Sequence, residues 1–236
     1  MNLQGIRMNK SVLARMISES VLIIVSILLA LSADAWLDSR NQASQLDAHL
    51  VALARDFETM RERVRASHDA ALRGAEAGRH LLTLIQQGAE IDPGLAPEWL
   101  WHLVYYEVFT PSTGAYEALI ASGNLELLEN DQLKFELADF FGSFEDVRAS
   151  ERLLLDTQNT FFASETFSDL AGWHRMGQGG APTIGTFPVE QWPRSNEFMS
   201  GVGLYTVRQA DVLEDYSYLG ERIQSIISML VTESTD

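Results

Sequence analysis

The chain has 236 residues, of which 46% are hydrophobic, and its 33 acidic and 17 basic side chains give a net charge of -16 at pH 7. It contains no cysteine, which excludes disulfides, thiol catalysis and cysteine-ligated zinc or iron–sulfur sites. Residues 80–236 hold 24 acidic and 7 basic side chains, and this argues against nucleic acid as a partner because phosphate contacts need clustered Lys and Arg.

An uncharged apolar run near the N-terminus predicts a membrane-spanning helix. Residues 21–31 read VLIIVSILLAL, and the run extends outward to Ile17 and Leu37. As a helix these 21 residues span about 31 Å, close to the hydrocarbon thickness of a bilayer. The alternative is a cleaved signal peptide, since Ala33-Asp34-Ala35 fits the small-x-small cleavage pattern. We expect the run to be retained as a signal anchor.

The charges on either side of the run predict its orientation. The basic residues that precede it are Arg7, Lys10 and Arg15. Acidic residues follow it, beginning with Asp34 and Asp38. By the positive-inside rule we expect residues 1–16 to form a cytoplasmic or interfacial basic segment, residues 17–37 to cross the membrane, and residues 38–236 to form a periplasmic domain.

Several residues of the span are candidates for contact with a partner or with lipid headgroups. A stripe of small residues suited to close helix packing comprises Ser26, Ala30 and Ala33. The alternative interpretation of this stripe is a lone span of ordinary composition. Glu19 and Asp34 mark the polar edges of the span, where they either snorkel to the headgroups or pair with adjacent protein, and Trp36 is the expected interfacial anchor.

Beyond the membrane the apolar residues step by four and three, which predicts a long helix continuous with the span. The seam comprises Leu46, Leu50, Leu53, Phe57, Met60, Val64, Ala71, Gly74, Gly78, Leu81 and Ile85. No proline interrupts the chain before Pro93. Gly74 and Gly78 either allow close approach of another backbone or loosen the helix, and we favour close packing.

Four further helices are predicted after the Asp92-Pro93-Gly94 break. The second covers residues 97–109, and the third is a short helix capped by Thr113 and stopped at Gly123. The fourth starts at Asn130 or Asp131 and runs to about residue 170, and the last covers residues 196–232. Strand-like alternation is nearly absent. The predicted fold is therefore all-α: a single N-terminal transmembrane helix continuous with an extracytoplasmic antiparallel helical bundle.

A Gly- and Pro-rich stretch, residues 171–195, separates the last two helices. It carries Trp173, Phe187 and Trp192. Loops of this length within a compact domain are uncommon and often bind a partner or are disordered. We therefore predict that these three aromatic residues belong to a partner-contact loop.

Two blocks of the sequence resemble a family of uncharacterised single-span bacterial membrane proteins. Residues 19–40 are similar to its anchor, E-I-x-L-V-V-I-G-I-L-I-A-L-Q followed by N-N-W-N-E, with Ser26 in place of the usual Gly. Residues 111–133 match its P-x-T-x-A-Y-E-x-L-x-x-S-G-x-L-x-L-x-x-N-x-x-L segment. The resemblance implies the single-span topology and supplies no reaction.

Signatures of catalysis are absent from the sequence, which has no G-x-S-x-G elbow, no H-E-x-x-H and no glycine-rich phosphate loop. Two Glu/His pairs lie one helical turn apart, Glu76 with His80 and Glu98 with His102. Neighbouring helices can converge such pairs on a metal, although the spacing here is four where known carboxylate-bridged bundles use three. We expect no metal, no other cofactor and no enzymatic activity.

These patterns favour a non-enzymatic accessory or scaffolding subunit of a larger inner-membrane assembly. Its expected partners are membrane lipid and either other integral-membrane subunits or a second copy of the chain, with no nucleic acid. The alternative is a tethered periplasmic bundle that binds a small ligand, for which the aromatic residues of the second helix would form a platform. A metal-dependent enzyme would depend on the two Glu/His pairs alone.

Overall fold

The computed structural model describes residues 10–90, 92, 96–162 and 196–233. Within these ranges every regular element is helical and no strand is present, which confirms the all-α prediction. The α-helices are α1 (Lys10–Gln87), α2 (Ala96–Val104), α3 (Gly114–Ala121), α4 (Asp131–Phe162) and α5 (Asn196–Glu233). A short 3-10 helix, Asn124–Leu127, joins α3 to α4.

Helix α1 contains both the apolar run and the first helix of the bundle. Its 78 residues correspond to a length of about 117 Å. Residues 19–45 are exposed along the whole helix surface, and packing against the rest of the chain begins at Leu46 and Leu50. Within the described residues, α1 is the one helix that is long and apolar enough to cross a membrane, judged by length and composition.

The other elements pack on the part of α1 that lies beyond residue 45. We call the end of the bundle nearest the apolar run the proximal end and the opposite end the distal end. Helix α2 packs on α1 at the distal end, and residues 105–113 then return along α1 to α3. Helix α4 runs toward the distal end and α5 runs back, making its most extensive contact with α1. The antiparallel bundle is confirmed.

The core is built on a seven-residue repeat shared by the three long helices. All members of the predicted α1 seam are buried except Leu46, which is half-buried. The matching α4 stripe is Leu133, Leu137, Phe140, Phe144, Val147 and Leu154, and the α5 stripe includes Phe198, Val202, Tyr205, Val212, Tyr216, Leu219, Ile223, Ile226 and Leu230. A strict alternation of steps of four and three keeps one face of each helix toward the common axis, as in left-handed coiled coils.

Close helix packing at the two seam glycines is also confirmed. A Cβ atom on Gly78 would overlap the Thr206 hydroxyl of α5. A Cβ on Gly74 would lie 2.9 Å from the Gln209 amide nitrogen and 3.1 Å from the His102 carbonyl oxygen. The absence of side chains at these two positions therefore lets α5 and α2 approach the backbone of α1.

Two local predictions are wrong. The second helix ends at Val104 and does not continue to residue 109, because residues 105–113 are held in a non-helical path by side chains of other helices. Thr113 precedes α3 but makes no capping hydrogen bond. The cap comes from α1, where the Asp56 carboxylate accepts the Ala115 N–H at 3.1 Å and the Ser112 hydroxyl at 2.8 Å.

Other helix ends agree with the sequence. The Asn130 side chain caps α4 by accepting the Leu133 N–H at 3.1 Å. Gly123 has a φ of 73°, the left-handed conformation that terminates α3. The predicted continuation of α4 over residues 163–170 and the loop of residues 171–195 lie outside the described residues.

Candidate functional sites

The stripe of small residues lies on one exposed face of the apolar run. Ser26, Ala30 and Ala33 follow one another at helical spacings of four and three, and all three are exposed in the single chain. The Ser26 hydroxyl donates to the Leu22 carbonyl at 2.8 Å, so its hydrogen-bonding need is met within the helix. At these three positions the face therefore presents small, uncharged side chains, which allow another helix to pack closely.

The polar edges of the run are exposed as well. Glu19 and Asp34 lie on the surface of α1, toward either end of the apolar residues. The Trp36 ring is exposed, and the Arg40 guanidinium lies 5.5 Å from the ring centroid. An aromatic ring next to a cation is the arrangement expected where a helix leaves the hydrocarbon and enters the headgroup layer.

A groove lies at the proximal end of the bundle, between α1 and the elements that end there. Its volume is about 680 Å³. We call it the proximal groove, and its α1 side is formed by Ser39, Gln42, Ala43, Leu46, Asp47 and Leu50. Leu127, Glu129 and Glu233 contribute from the 3-10 helix, the following turn and the end of α5. The Glu233 carboxylate accepts the Glu129 N–H at 2.8 Å and fixes the end of α5 to that turn.

The four candidate metal ligands meet in one open depression at the distal end. Glu76 and His80 project from α1, and Glu98 and His102 from α2. The Glu98 carboxylate lies 3.7 Å from His102 Nε2, whereas the His80 ring packs edge-on against Trp99 at a centroid distance of 4.4 Å. No group of three His, Asp or Glu side chains among the described residues has a geometry that could hold a metal ion.

A second groove, of about 400 Å³, lies between α4 and α5 near the distal end. Its lining is mainly apolar and includes Leu153, Phe161, Phe198, Gly201 and Leu204. Trp173, Phe187 and Trp192, the residues predicted to contact a partner, lie outside the described residues. Their chain segment is attached to the ends of α4 and α5 that border this groove.

Sequence reasoning missed a buried polar layer in the middle of the bundle. The Glu151 side chain of α4 is buried, and its Oε1 atom accepts the Phe109 N–H at 2.8 Å and the Tyr216 hydroxyl at 2.7 Å. The Tyr216 hydroxyl also lies 3.1 Å from the Glu107 carbonyl oxygen. Burial raises the pKa of Glu151 and, together with the nearby carboxylate, the pKa of Tyr216. The layer joins α4 and α5 to residues 105–113.

The signal for this layer was present in the seven-residue repeat. Continuing the α4 stripe beyond Val147 by steps of four and three reaches Glu151 and Gln158, and the α5 stripe passes through Gln209. All three are buried. The Gln158 amide donates to the Val104 carbonyl at 2.6 Å, where α2 ends. Polar residues at core positions of a repeat are expected to find internal partners.

Comparisons of the chain with protein-family models, with curated proteins and with solved structures found no match. The resemblance of residues 19–40 and 111–133 to an uncharacterised single-span family therefore stays a prediction.

Proposed function

We propose that this protein is a non-enzymatic accessory or scaffolding subunit of a larger assembly in a bacterial inner membrane. Its N-terminus lies in the cytoplasm, residues 17–37 cross the bilayer, and the acidic helical bundle extends into the periplasm. The charge asymmetry around the apolar run supports this orientation.

The observation that carries the proposal is the continuity of α1. A single helix passes from the exposed apolar run into the core of the bundle without a break. Among the residues that the structure describes, none packs against the run, and its exposed apolar surface is suited to cover by lipid or by another membrane protein. A contact made by the membrane span therefore also fixes the orientation of the bundle.

Two surfaces are proposed to contact the rest of the assembly. In the membrane, the stripe of Ser26, Ala30 and Ala33 packs against a neighbouring helix. In the periplasm, the loop that carries Trp173, Phe187 and Trp192 contacts an exposed part of a partner subunit. The distal attachment of that loop, far along α1 from the apolar run, supports a contact well above the membrane surface.

The membrane contact is tested by Ala30→Leu. The substitution adds bulk where a neighbouring helix needs close approach and keeps the span apolar, so insertion into the membrane should be unchanged or slightly improved. We expect mild-detergent purification to recover severalfold less of the partner polypeptides with this variant. Quantitative mass spectrometry of the co-purifying proteins is the measurement.

Ala35→Leu is the matched control. Ala35 is exposed, and at 100° per residue it lies on the face of α1 opposite the stripe. The same change of side chain there should leave co-purification intact. An equal loss in both variants, or no loss in either, would show that the stripe is not a docking face and that the span is only a tether.

The alternative function is a tethered bundle that binds a small ligand. The distal depression favours it, because the Trp99 ring, the Arg73 guanidinium and the carboxylates of Glu76 and Glu98 line an open space of about 550 Å³. This alternative would move ahead if purification of the native protein recovers no partner polypeptide.

A further inference from the structure

The groove between α4 and α5 presents apolar side chains at the surface of the bundle. We call it the α4/α5 groove, and its volume is about 400 Å³. Leu153 on α4 and Leu204 on α5 are 49% and 50% exposed among the described residues. The Phe161 ring lies directly against the α5 backbone, because a Cβ atom on Gly201 would overlap it. An apolar side chain that enters the groove would cover all of these groups.

The rim of the groove carries hydrogen-bond acceptors. Asp156 and Glu197 place carboxylates there. The hydroxyls of Thr157 and Thr160 donate to main-chain carbonyls one turn earlier in α4, at 2.7 and 2.8 Å, so the two hydroxyl oxygens remain as acceptors. The groove therefore suits an apolar body with an N–H donor at its edge. Tryptophan has both properties, since its indole N–H only donates.

Residues 163–195, which lie outside the described residues, join the bundle at this groove. Helix α4 ends one residue after Phe161, and α5 begins one residue before Glu197, so both helix ends border the groove. Trp192 precedes the first residue of α5 by four residues, which can span up to about 14 Å. Gly201 is only about 7.5 Å beyond that first residue along the helix axis. The indole of Trp192 is therefore within reach of the groove.

We propose that Trp192 occupies the α4/α5 groove, with its ring on the apolar walls and its indole N–H donating to an acceptor on the rim. Of the three aromatic residues within 171–195, Trp192 has the shortest connection to a helix that lines the groove. A short connection gives a high effective concentration. Phe187 also lacks an N–H donor. The contact fixes one end of the loop to the bundle and leaves Trp173 and Phe187 available to a partner, so it extends the proposed function without depending on it.

Other occupants fit this groove less well. A Cβ atom built on Gly203 of α5 would lie 3.9 Å from Leu82 of α1, and Leu82 is about 68 Å beyond Leu37 along the helix axis. The groove is therefore far from the headgroup layer of any bilayer that residues 17–37 cross, which argues against a lipid. A separate polypeptide would have to compete with an indole that is attached a few residues away.

The test is limited trypsin digestion of the full-length protein in mild detergent. Residues 163–195 contain two trypsin sites, after Arg175 and after Arg194, and Arg194 lies between Trp192 and α5. Mass spectrometry of the fragments should show slower cleavage after Arg194 than after Arg175. In Trp192→Ser we expect cleavage after Arg194 to be about tenfold faster, since burial of a large apolar side chain is lost, and cleavage after Arg175 to be unchanged.

A second variant changes the groove and leaves residues 163–195 intact. Leu204→Ser removes part of one wall, so it should also accelerate cleavage after Arg194. The matched control is Val207→Ser, because Val207 is 54% exposed on the same helix and does not line the groove. It should be cleaved as the wild type is. Trp192 lies outside the described helices, so the Trp192→Ser result can be interpreted even if Leu204→Ser alters the bundle.

Three results would overturn the inference. The first is unchanged cleavage after Arg194 in Trp192→Ser. The second is an equal effect of Leu204→Ser and Val207→Ser. The third is a rise in Trp173→Ser as large as that in Trp192→Ser, which would show that Trp192 is not the specific occupant of the groove.

Discussion

At the scale of single residues, we expect the buried Glu151 carboxyl to make the stability of the bundle depend on pH. Burial raises its pKa above the ordinary value of 4.5, and hydrogen bonds from Tyr216 and Phe109 oppose that shift without cancelling it. Arg148 lowers the pKa and Asp215 raises it, both to a smaller extent. Since the folded state binds the proton more tightly than the unfolded chain, the stabilising contribution is fully present below the ordinary pKa of 4.5 and is lost as the pH rises through the raised pKa.

The variant Glu151→Gln should remove this dependence while keeping the contacts. Both hydrogen bonds end on Oε1, and a glutamine oxygen at that position can also accept both of them. We expect thermal unfolding, followed by circular dichroism between pH 5 and 8, to show a flatter profile for the variant and a higher melting temperature at the alkaline end. A profile parallel to that of the wild type would show that the ionisation of Glu151 is not the cause of the pH dependence.

The variant Glu151→Ala removes the hydrogen bonds as well as the charge at this position. It leaves the Phe109 N–H and the Tyr216 hydroxyl without their acceptor, and a buried group that loses its partner costs about 1 to 3 kcal/mol. The melting temperature should therefore fall at every pH. Stability equal to that of Glu151→Gln would show that the hydrogen bonds contribute nothing.

At the scale of helices, the close approach of α1 and α5 depends on Gly78. Thr206 cannot move away from an added Cβ cheaply, because its hydroxyl is buried and donates to the Val202 carbonyl at 2.7 Å. We expect Gly78→Ala to lower the free energy of unfolding by about 1 to 3 kcal/mol, despite the better helix propensity of alanine. Adding Thr206→Ala should recover much of this loss, and a double-mutant cycle measures the coupling.

Gly142 is the matched control for this prediction. It lies in α4, and a Cβ built there meets nothing within 4 Å. Gly142→Ala should therefore stabilise the protein by about 0.5 to 1 kcal/mol. If both alanine variants change stability in the same direction, helix propensity alone accounts for the data and close packing at Gly78 is not important.

The repeat of apolar residues was sufficient to predict the long helices and their buried faces, because burial of a continuous stripe dominates helix packing. The path of residues 105–113 could not be predicted in this way. Its backbone is held by Glu151, by Tyr216 and by the Arg63 guanidinium, which donates to the Thr110 carbonyl at 3.1 Å. These partners are about 40 to 110 residues away in sequence, so local propensity, which favoured continuing the helix, carried no information about them.

Local sequence patterns likewise predicted some features of the candidate sites and not others. Helical spacing placed Ser26, Ala30 and Ala33 on one face and put the two members of each Glu/His pair one turn apart. The packing of α2 on α1 is what brings the two pairs to one depression. The proximal groove was not predicted, because it forms only where the end of α5 meets the turn before α4. Its location follows from the chain topology, which no local pattern in residues 39–50 or 127–130 specifies.

At the scale of the whole molecule, one continuous helix links the candidate membrane span to the helical bundle. The basic residues Arg7, Lys10 and Arg15 come before the apolar run, and the acidic bundle follows it on the same continuous helix. If α1 crosses a bilayer, the two groups must lie on opposite sides. It is therefore enough to determine, for one residue in each group, on which side of the membrane that residue lies.

The absence of cysteine from the chain makes that measurement direct, because single cysteines can be introduced without a background signal. Ser228 is exposed on α5, so Ser228→Cys should react with a membrane-impermeant maleimide once the outer membrane is permeabilised. Asn2→Cys should react only after the inner membrane is opened, since the positive-inside rule places residue 2 in the cytoplasm. Labelling of both positions before lysis would mean that α1 does not cross the inner membrane. The reverse pattern would place the bundle in the cytoplasm, and loss of the residue 2 label from the mature chain would mean that the apolar run is a cleaved signal peptide.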